Sequence, residues 1–270
     1  MVFYLSMRKV AVLIPSYCPQ NYVESCLESL SRQTLDVSSY VVYIALNGCR
    51  YPYEKYVKDL LNCHRFESHL FYVEEPGVSR ARNFLIEISS EPYLCFVDDD
   101  DVLSDDYLES LLNVSTKDEI GVSDVRCFQS SLKEAMPNYI GNYYAKLPPE
   151  ESSLLRARKY FSSPCAKLIH RTVVGDARFN PRLVKGEDAL FMAEISPRVS
   201  KIKKASSAAC YYIRQRPGSA TRSKTSFLIE VQRICYLEFC YLKMLFSLKY
   251  QTSFIGTRLV ATILQLRKVF

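Results

Sequence analysis

Short apolar runs that stop at turn residues alternate with amphipathic stretches over the first hundred residues. Lys9 to Pro15 (KVAVLIP) is rich in β-branched side chains and ends at Pro15-Ser16, the pattern of a strand buried on both faces. A helix is expected next: Asn21 and Glu24 form a capping pair, and Val23, Cys26, Leu27 and Leu30 share one helical face. Tyr40 to Leu46 (YVVYIAL) repeats the strand pattern and stops at the turn dipeptide Asn47-Gly48. Glu54 to Leu61 reads as a short helix and Leu70 to Val73 as a third strand, ending at Glu74-Glu75-Pro76-Gly77. Val78 to Ile88 reads as a further helix and Tyr93 to Val97 as a fourth strand. Strands and helices in this alternation predict an α/β fold with an open, doubly wound sheet, whose ligands lie outside the carboxyl ends of the strands. Those ends carry Pro15-Ser16-Tyr17, Asn47-Gly48, Glu75-Pro76-Gly77 and four adjacent aspartates, Asp98 to Asp101.

The pattern is weaker beyond the aspartates. Gly121 to Ser131 reads as one strand, Met136 to Pro149 as a polar, tyrosine-bearing loop suited to an acceptor side, and Leu154 to Tyr160 as a basic helical stretch. Cys165 to Arg171 looks strand-like, and Gly186-Glu187-Asp188 opens a helix whose apolar positions are only partly periodic. Ala209 to Ile213 precedes a basic loop, Arg214 to Ser219, and a long helical region from Phe227 to Phe270. The expected division is a main domain over residues 1–225 and a helical extension over 226–270.

Composition narrows the class. Hydrophobic residues make up 48% and charged residues 24% of the 270, ordinary values for a folded domain of this size. No run of about 18 uncharged apolar residues is present, so a spanning helix is not expected. Arg8 and Lys9 interrupt the start before its apolar run begins, which argues against an export signal. The ten cysteines are scattered without a Cys-x-x-Cys pair, and Cys26, Cys95 and Cys235 lie in apolar runs, so they read as buried thiols of a reducing, cytoplasmic compartment. Charge divides unevenly: residues 1–150 hold 13 basic and 22 acidic residues, residues 151–270 hold 22 and 7. An acidic half suits a cation and a basic half suits phosphates or an anionic membrane surface, while no nucleic-acid-binding module is recognisable. No glycine-rich dinucleotide turn or phosphate loop follows any predicted strand.

The aspartate run carries the chemistry. Two carboxylates about 5 Å apart repel by roughly 3 kcal/mol at an effective dielectric near 20, and a divalent cation relieves that repulsion. On an extended strand Asp98 and Asp100 share one face, an Asp-x-Asp pair able to hold one hard cation. The plainer alternative is an acidic loop capping the helix that starts near Tyr107.

Four separated segments resemble the family 2 inverting nucleotide-sugar glycosyltransferases of the GT-A fold, particularly bacterial enzymes that build surface polysaccharides. They are VAVLIPSYCPQNYVESCLESLSRQT, GVSRARNFLIEISSEPYLCFVDDDDVLSDDYLESL, ARFNPRLVKGEDALFM and YYIRQRPGSATRS, and together they reach from about residue 8 to residue 225. The resemblance implies a Rossmann-like mixed sheet and a metal-dependent transfer of a sugar from a nucleotide-diphosphate donor, with UDP as the expected nucleotide, to a cell-surface glycan or lipid-linked precursor. It implies Asp98 and Asp100 as ligands of Mn²⁺ or Mg²⁺, Asp188 as the base, and Glu187 as its neighbour in acceptor or metal-site geometry. Pro15, Ser16, Tyr17, Asn47 and Asp99 would meet the nucleotide, Arg82 would reach either the nucleotide or the aspartates, and Arg216 and Ser219 would close over the diphosphate. The sequence departs from the family pattern at Leu46-Asn47-Gly48-Cys49, where an acidic pair is common, and at Glu75. Two other readings remain: a nucleotidyltransferase making an activated sugar, and a noncatalytic assembly or membrane-scaffold protein of the same fold. For the amphipathic C-terminal region, core packing, a homodimer seam and peripheral contact with the inner face of the cell membrane are the alternatives.

Overall fold

The computed structural model describes residues 9–216 and 226–266. Its larger sheet is built around four parallel strands, β1 (Val10–Ser16), β2 (Tyr40–Asn47), β3 (Glu67–Val73) and β4 (Tyr93–Phe96). Every residue of β1 and β2 is buried, as their unbroken apolar runs require, while the edge strand β3 is half-buried throughout. The helices that join them are α1 (Tyr22–Ser31), α2 (Tyr53–Leu61) and α3 (Val78–Ile88). In α1 the buried apolar positions are Val23, Cys26, Leu27 and Leu30, the predicted stripe, although Asn21 makes no side-chain cap.

Two-residue β5 (Val102–Leu103) and α4 (Tyr107–Val114) follow the aspartates, then β6 (Glu119–Val122) and β7 (Asp124–Phe128). The single strand expected over Gly121 to Ser131 is therefore two, broken at Ser123, and they enter different sheets. Next come β8 (Met136–Pro137), α5 (Gly141–Tyr144), β9 (Glu150–Glu151), α6 (Leu154–Ala157), β10 (Lys167–His170) and α7 (Arg171–Val174). The last elements are α8 (Glu187–Ile195), β11 (Lys201–Lys204), β12 (Cys210–Arg214), α9 (Phe227–Leu245) and α10 (Thr252–Leu266). The larger sheet runs β3-β2-β1-β4-β10-β6-β11-β9 and is mixed, because β10 is antiparallel to both β4 and β6. The smaller sheet runs β5-β12-β7-β8.

Helix α8 explains its own weak periodicity: Leu190, Phe191, Met192, Ala193 and Ile195 are all buried, so it has no broad polar face to alternate with. The C-terminal helical region is two helices with a break between Leu245 and Thr252. Leu237, Tyr241, Met244, Phe254 and Ile255 join the same apolar core as the sheet. Phe254 meets Phe161 edge-on at 5.4 Å between ring centres. All ten cysteines are free thiols, and Cys235 lies exposed on α9 rather than buried as its apolar surroundings suggest. Among the described residues no helix is long and apolar enough to cross a membrane.

Candidate active site

The carboxyl ends of β1 and β4 lie side by side, because Leu13 pairs with Phe96. Three residues further along each chain Ser16 meets Asp99, and Ser16 Oγ donates to Asp99 Oδ2 at 2.6 Å. The chain does not stay extended through the aspartates. It turns, with the Asp101 amide donating to the Asp98 carbonyl at 3.1 Å, so the four carboxylates point to four different partners instead of alternating across a strand. Asp98 goes to Arg82, Asp99 to Ser16, Asp100 to Arg216, and buried Asp101 accepts the Arg214 amide at 2.9 Å. Strand β5 and the tight Ser104–Asp106 segment separate this turn from α4, so the aspartates do not cap that helix.

The smaller sheet holds the turn in place. Strand β12 pairs with β5 immediately after it, and the Tyr211 hydroxyl accepts the Asp98 amide at 3.1 Å. Arg214 Nε donates to the Asp100 carbonyl at 3.0 Å. Tyr211 and Arg214 stand inside a segment that the sequence marked for its family resemblance, yet their grip on the turn spans more than a hundred residues of chain and has no local signal.

Arg82 is the centre of the site. It lies on α3 and is 3% exposed, with its Nη1 donating to Asp188 Oδ1 at 2.6 Å and its Nη2 to Asp98 Oδ1 at 2.9 Å. The Phe179 ring packs beneath its guanidinium at 5.2 Å. Burial works against its charge, but Asp188 and Asp98 outweigh that and hold its pKa above the ordinary arginine value. Neighbouring Asn83 fixes the chain on the far side, donating to the Phe179 carbonyl at 2.8 Å and accepting the Phe179 amide at 2.7 Å.

Asp188 stands in the first turn of α8 behind Gly186, and no side chain caps that helix. Its carboxylate is committed to Arg82 rather than to the helix amides, and a quarter of the side chain stays exposed. Burial raises the Asp188 pKa, and Arg82 pulls it back. Glu187 is buried with Oε2 unpartnered, and burial followed by repulsion from Asp188 pushes its pKa up to about 7. Burial likewise pushes Asp99 up to about 7 despite the Ser16 hydrogen bond, and raises Asp100 with help from Asp98.

Pro15 and Ser16 are buried at the end of β1, while Tyr17 projects with 62% of its surface exposed. Its ring lies over Gly48, whose φ of +79° and whose space, where a Cβ would fall 2.8 Å from the Tyr17 ring, both require glycine. Asn47 is 2% exposed and its amide is spent on backbone: Nδ2 donates to the Ser16 carbonyl at 2.7 Å and Oδ1 accepts the Gly77 amide at 2.9 Å. The structure thus gathers Ser16, Tyr17, Arg82, Asp98, Asp99, Asp100, Asp188 and Arg216 around one rim, with Asn47 behind it. Ser219 lies outside the described residues.

Asp98 and Asp100 fit a divalent cation that takes most of its ligands from elsewhere. Each has given one oxygen to an arginine, and among the described residues no group of three or more histidines, cysteines or carboxylates is arranged to hold a metal ion by itself. Two carboxylates in one turn, both half-buried and one with its pKa raised by burial and by the other, suit a hard cation completed by phosphate oxygens and water.

A family model described as glycosyl transferase family 2 matches residues 11–176, more than half of the chain. The poly(ribitol-phosphate) β-N-acetylglucosaminyltransferase TarS of Staphylococcus aureus strain MW2 is 24% identical over 249 residues, 86% of this chain and 40% of the relative. The minor teichoic acid biosynthesis protein GgaB of Bacillus subtilis is 22% identical over 218 residues, 78% of this chain and 23% of the relative. The glycosyltransferase GlyA of Streptococcus pneumoniae is 28% identical over 144 residues, 52% of this chain and 20% of the relative. The chain thus spans between a fifth and two-fifths of these relatives. The crystal structure of S. aureus TarS 1–349 in complex with UDP-GlcNAc superposes with a TM-score of 0.76 at 18% identity, covering 94% of this chain and 71% of that one.

Proposed function

This chain belongs to glycosyl transferase family 2, and on that footing we propose that it transfers a sugar with inversion from a nucleotide-diphosphate donor, UDP-linked, to a hydroxyl of a cell-surface glycan or its lipid-linked precursor. The observation that carries this reading is the buried guanidinium of Arg82 joining Asp98, on the donor rim, to Asp188, which stands in the first turn of a helix with a quarter of its side chain exposed. A donor carboxylate and a base are thereby held at fixed separation, the geometry that one-step displacement requires.

In that reaction the acceptor oxygen attacks the anomeric carbon, the bond from that carbon to the diphosphate oxygen breaks, and the acceptor proton passes to Asp188. Attack from the face opposite the leaving group inverts the centre, with no enzyme nucleophile. Ser16 and Tyr17 line the nucleotide end, Asn47 supports their turn, and Arg216 brings a cation to the diphosphate side of Asp100. Mg²⁺ or Mn²⁺ held by Asp98 and Asp100 would take up charge on the leaving diphosphate. TarS of S. aureus, whose structure was solved with UDP-GlcNAc, supports a UDP-N-acetylhexosamine donor as the first to test.

The test is a thermal-shift panel of nucleotide sugars with and without Mn²⁺, on wild type and Asp100→Asn. UDP-GlcNAc should stabilise the wild type in Mn²⁺, and Asp100→Asn should largely abolish that effect without changing the melting temperature of the free protein. Metal-dependent stabilisation that survives in Asp100→Asn would remove the carboxylate from the donor site.

A further inference from the structure

Helix α9 is packed directly on the loop that delivers Asp188. Gly186, the residue before α8, has φ +90°, and a Cβ there would fall 2.8 Å from Leu237 Cδ1 and 3.4 Å from Arg233 Nη1. Arg233 donates through Nη1 to the Lys185 carbonyl at 3.2 Å and through Nη2 to Gln265 Oε1 of α10 at 2.8 Å, with Glu230 paired along its edge. One turn on, the Tyr236 hydroxyl accepts from Asn180 Nδ2 at 2.9 Å. Arg233, Tyr236 and Leu237 have the spacing of one helical face, and that face grips the loop at both of its ends, Asn180 and Lys185-Gly186.

The loop needs such a grip. It enters α8 through a left-handed residue and without a side-chain cap, so no capping hydrogen bond fixes the direction in which the first turn of α8 sets off. Asp188 is two residues beyond Gly186, and a small rotation there is carried straight to its carboxylate. The guanidinium of Arg233 can satisfy Lys185, Glu230 and Gln265 together because it is a planar fork; a lysine at this position reaches one or two of them.

We infer that Arg233, with Tyr236, is a positioning residue for the reaction: it holds the Lys185-Gly186 turn so that Asp188 faces the acceptor hydroxyl, which makes the C-terminal helices part of the catalytic apparatus and not an appendage to it. The inference rests on Asp188 as the base. Donor binding is set on the opposite side of Arg82, by Ser16, Asp99 and Asp100, and is expected to be indifferent to Arg233.

The experiment uses the full chain with Arg233→Met, Arg233→Lys and Tyr236→Phe, each alone and in an Asp188→Asn background. UDP-GlcNAc affinity in Mn²⁺ is measured by calorimetry, UDP release from UDP-GlcNAc with water as acceptor by a coupled assay, and amide hydrogen exchange across residues 181–190. Arg233→Met should leave donor affinity within about threefold and lower UDP release about tenfold or more, the size expected of a misplaced catalytic group. Exchange should quicken in 181–190 ahead of the rest of the protein. Arg233→Lys should recover part of the rate. Tyr236→Phe, which removes one hydroxyl, should show the same signature more weakly and keeps the test open should Arg233→Met not fold. None of these changes should add to the loss in Asp188→Asn, since they act through that carboxylate. Losses that multiply in the Asp188→Asn background, or that track donor affinity or folded fraction, would overturn the inference. Normal release by Arg233→Met beside a crippled Asp188→Asn would overturn it alone, whereas normal release by Asp188→Asn would overturn the base reading and this inference together.

Discussion

Arg82 sets the balance of charge on which the proposed chemistry depends. A buried cation shared by two carboxylates offsets their charge, and its loss would leave them facing each other uncompensated, at a cost of about 3–5 kcal/mol for a fully buried pair. Asp188→Asn keeps an oxygen for Arg82 Nη1, so it should preserve the site's geometry and donor affinity while lowering transfer roughly 10²- to 10⁴-fold, the range for a positioned general base. Donor affinity and transfer rate measured on the same folded variant check this, and near-normal transfer would remove Asp188 from the mechanism. The pH dependence has a definite sign. A base works deprotonated, and burial raises the Asp188 pKa, so activity should climb as pH rises through that raised value. Arg82 opposes the rise, so Arg82→Lys, which keeps the charge but cannot fork to both partners, should move the acid limb of kcat/KM to higher pH. A rate loss with an unmoved limb would assign Arg82 to structure alone.

At the scale of elements, the site is a junction of strand ends tied by side chains to backbone. Asn47 shows how: its amide joins the end of β1 to the turn before α3, so the Ser16–Tyr17 tip and the helix carrying Arg82 are set relative to each other. Asn47→Ala would strand the Ser16 carbonyl and the Gly77 amide, and should destabilise the fold by about 1–3 kcal/mol, measurable by urea unfolding. Asn47→Asp should lose the Ser16 bond while keeping an acceptor for Gly77. Strands β1 and β2 were legible because buried parallel strands write themselves as continuous apolar, β-branched runs, whereas the half-buried edge strand β3 showed only its last residues, from Leu70. The break at Ser123 was not, since an apolar stretch reads alike whether it serves one sheet or two. Helix α8 showed its start but hid its period by being buried nearly all round, and the aspartate turn defeated an argument that assumed an extended strand. Asp188 and the aspartates were visible as types in a pattern, but Arg82 joining residues 16 and 106 positions away in sequence is a fact of tertiary structure that no spacing encodes.

The whole molecule separates an acidic first part, which holds the aspartates, from a basic second part that ends in α9 and α10. Phe239 and Leu242 on α9 and Phe246 at its C-cap are exposed at helical spacing, and Leu248 is exposed just beyond. The Lys243 ammonium lies 4.2 Å from the centre of the Phe239 ring, and Lys249 lies 5.8 Å from that of Tyr250. Apolar side chains bordered by lysines, on a helix too polar to span, suit the interface of an anionic bilayer, where each basic residue near the surface adds about 1 kcal/mol. The opposite face of the same helix carries Arg233, Tyr236 and Leu237 against the loop before Asp188, so a surface that takes up a lipid-linked acceptor would do so on the element that braces the base. We therefore expect the protein to sediment with vesicles containing phosphatidylglycerol at low salt and not with neutral vesicles. Because exposed charges are screened within about 10 Å at 0.1 M salt, binding should fall as salt rises, and Lys243→Glu with Lys249→Glu should weaken it most at low salt. No sedimentation by the wild type at low salt would dismiss the membrane contact, and a concentration-dependent dimer that covers Phe239 and Phe246 would assign the same face to a second copy of the chain.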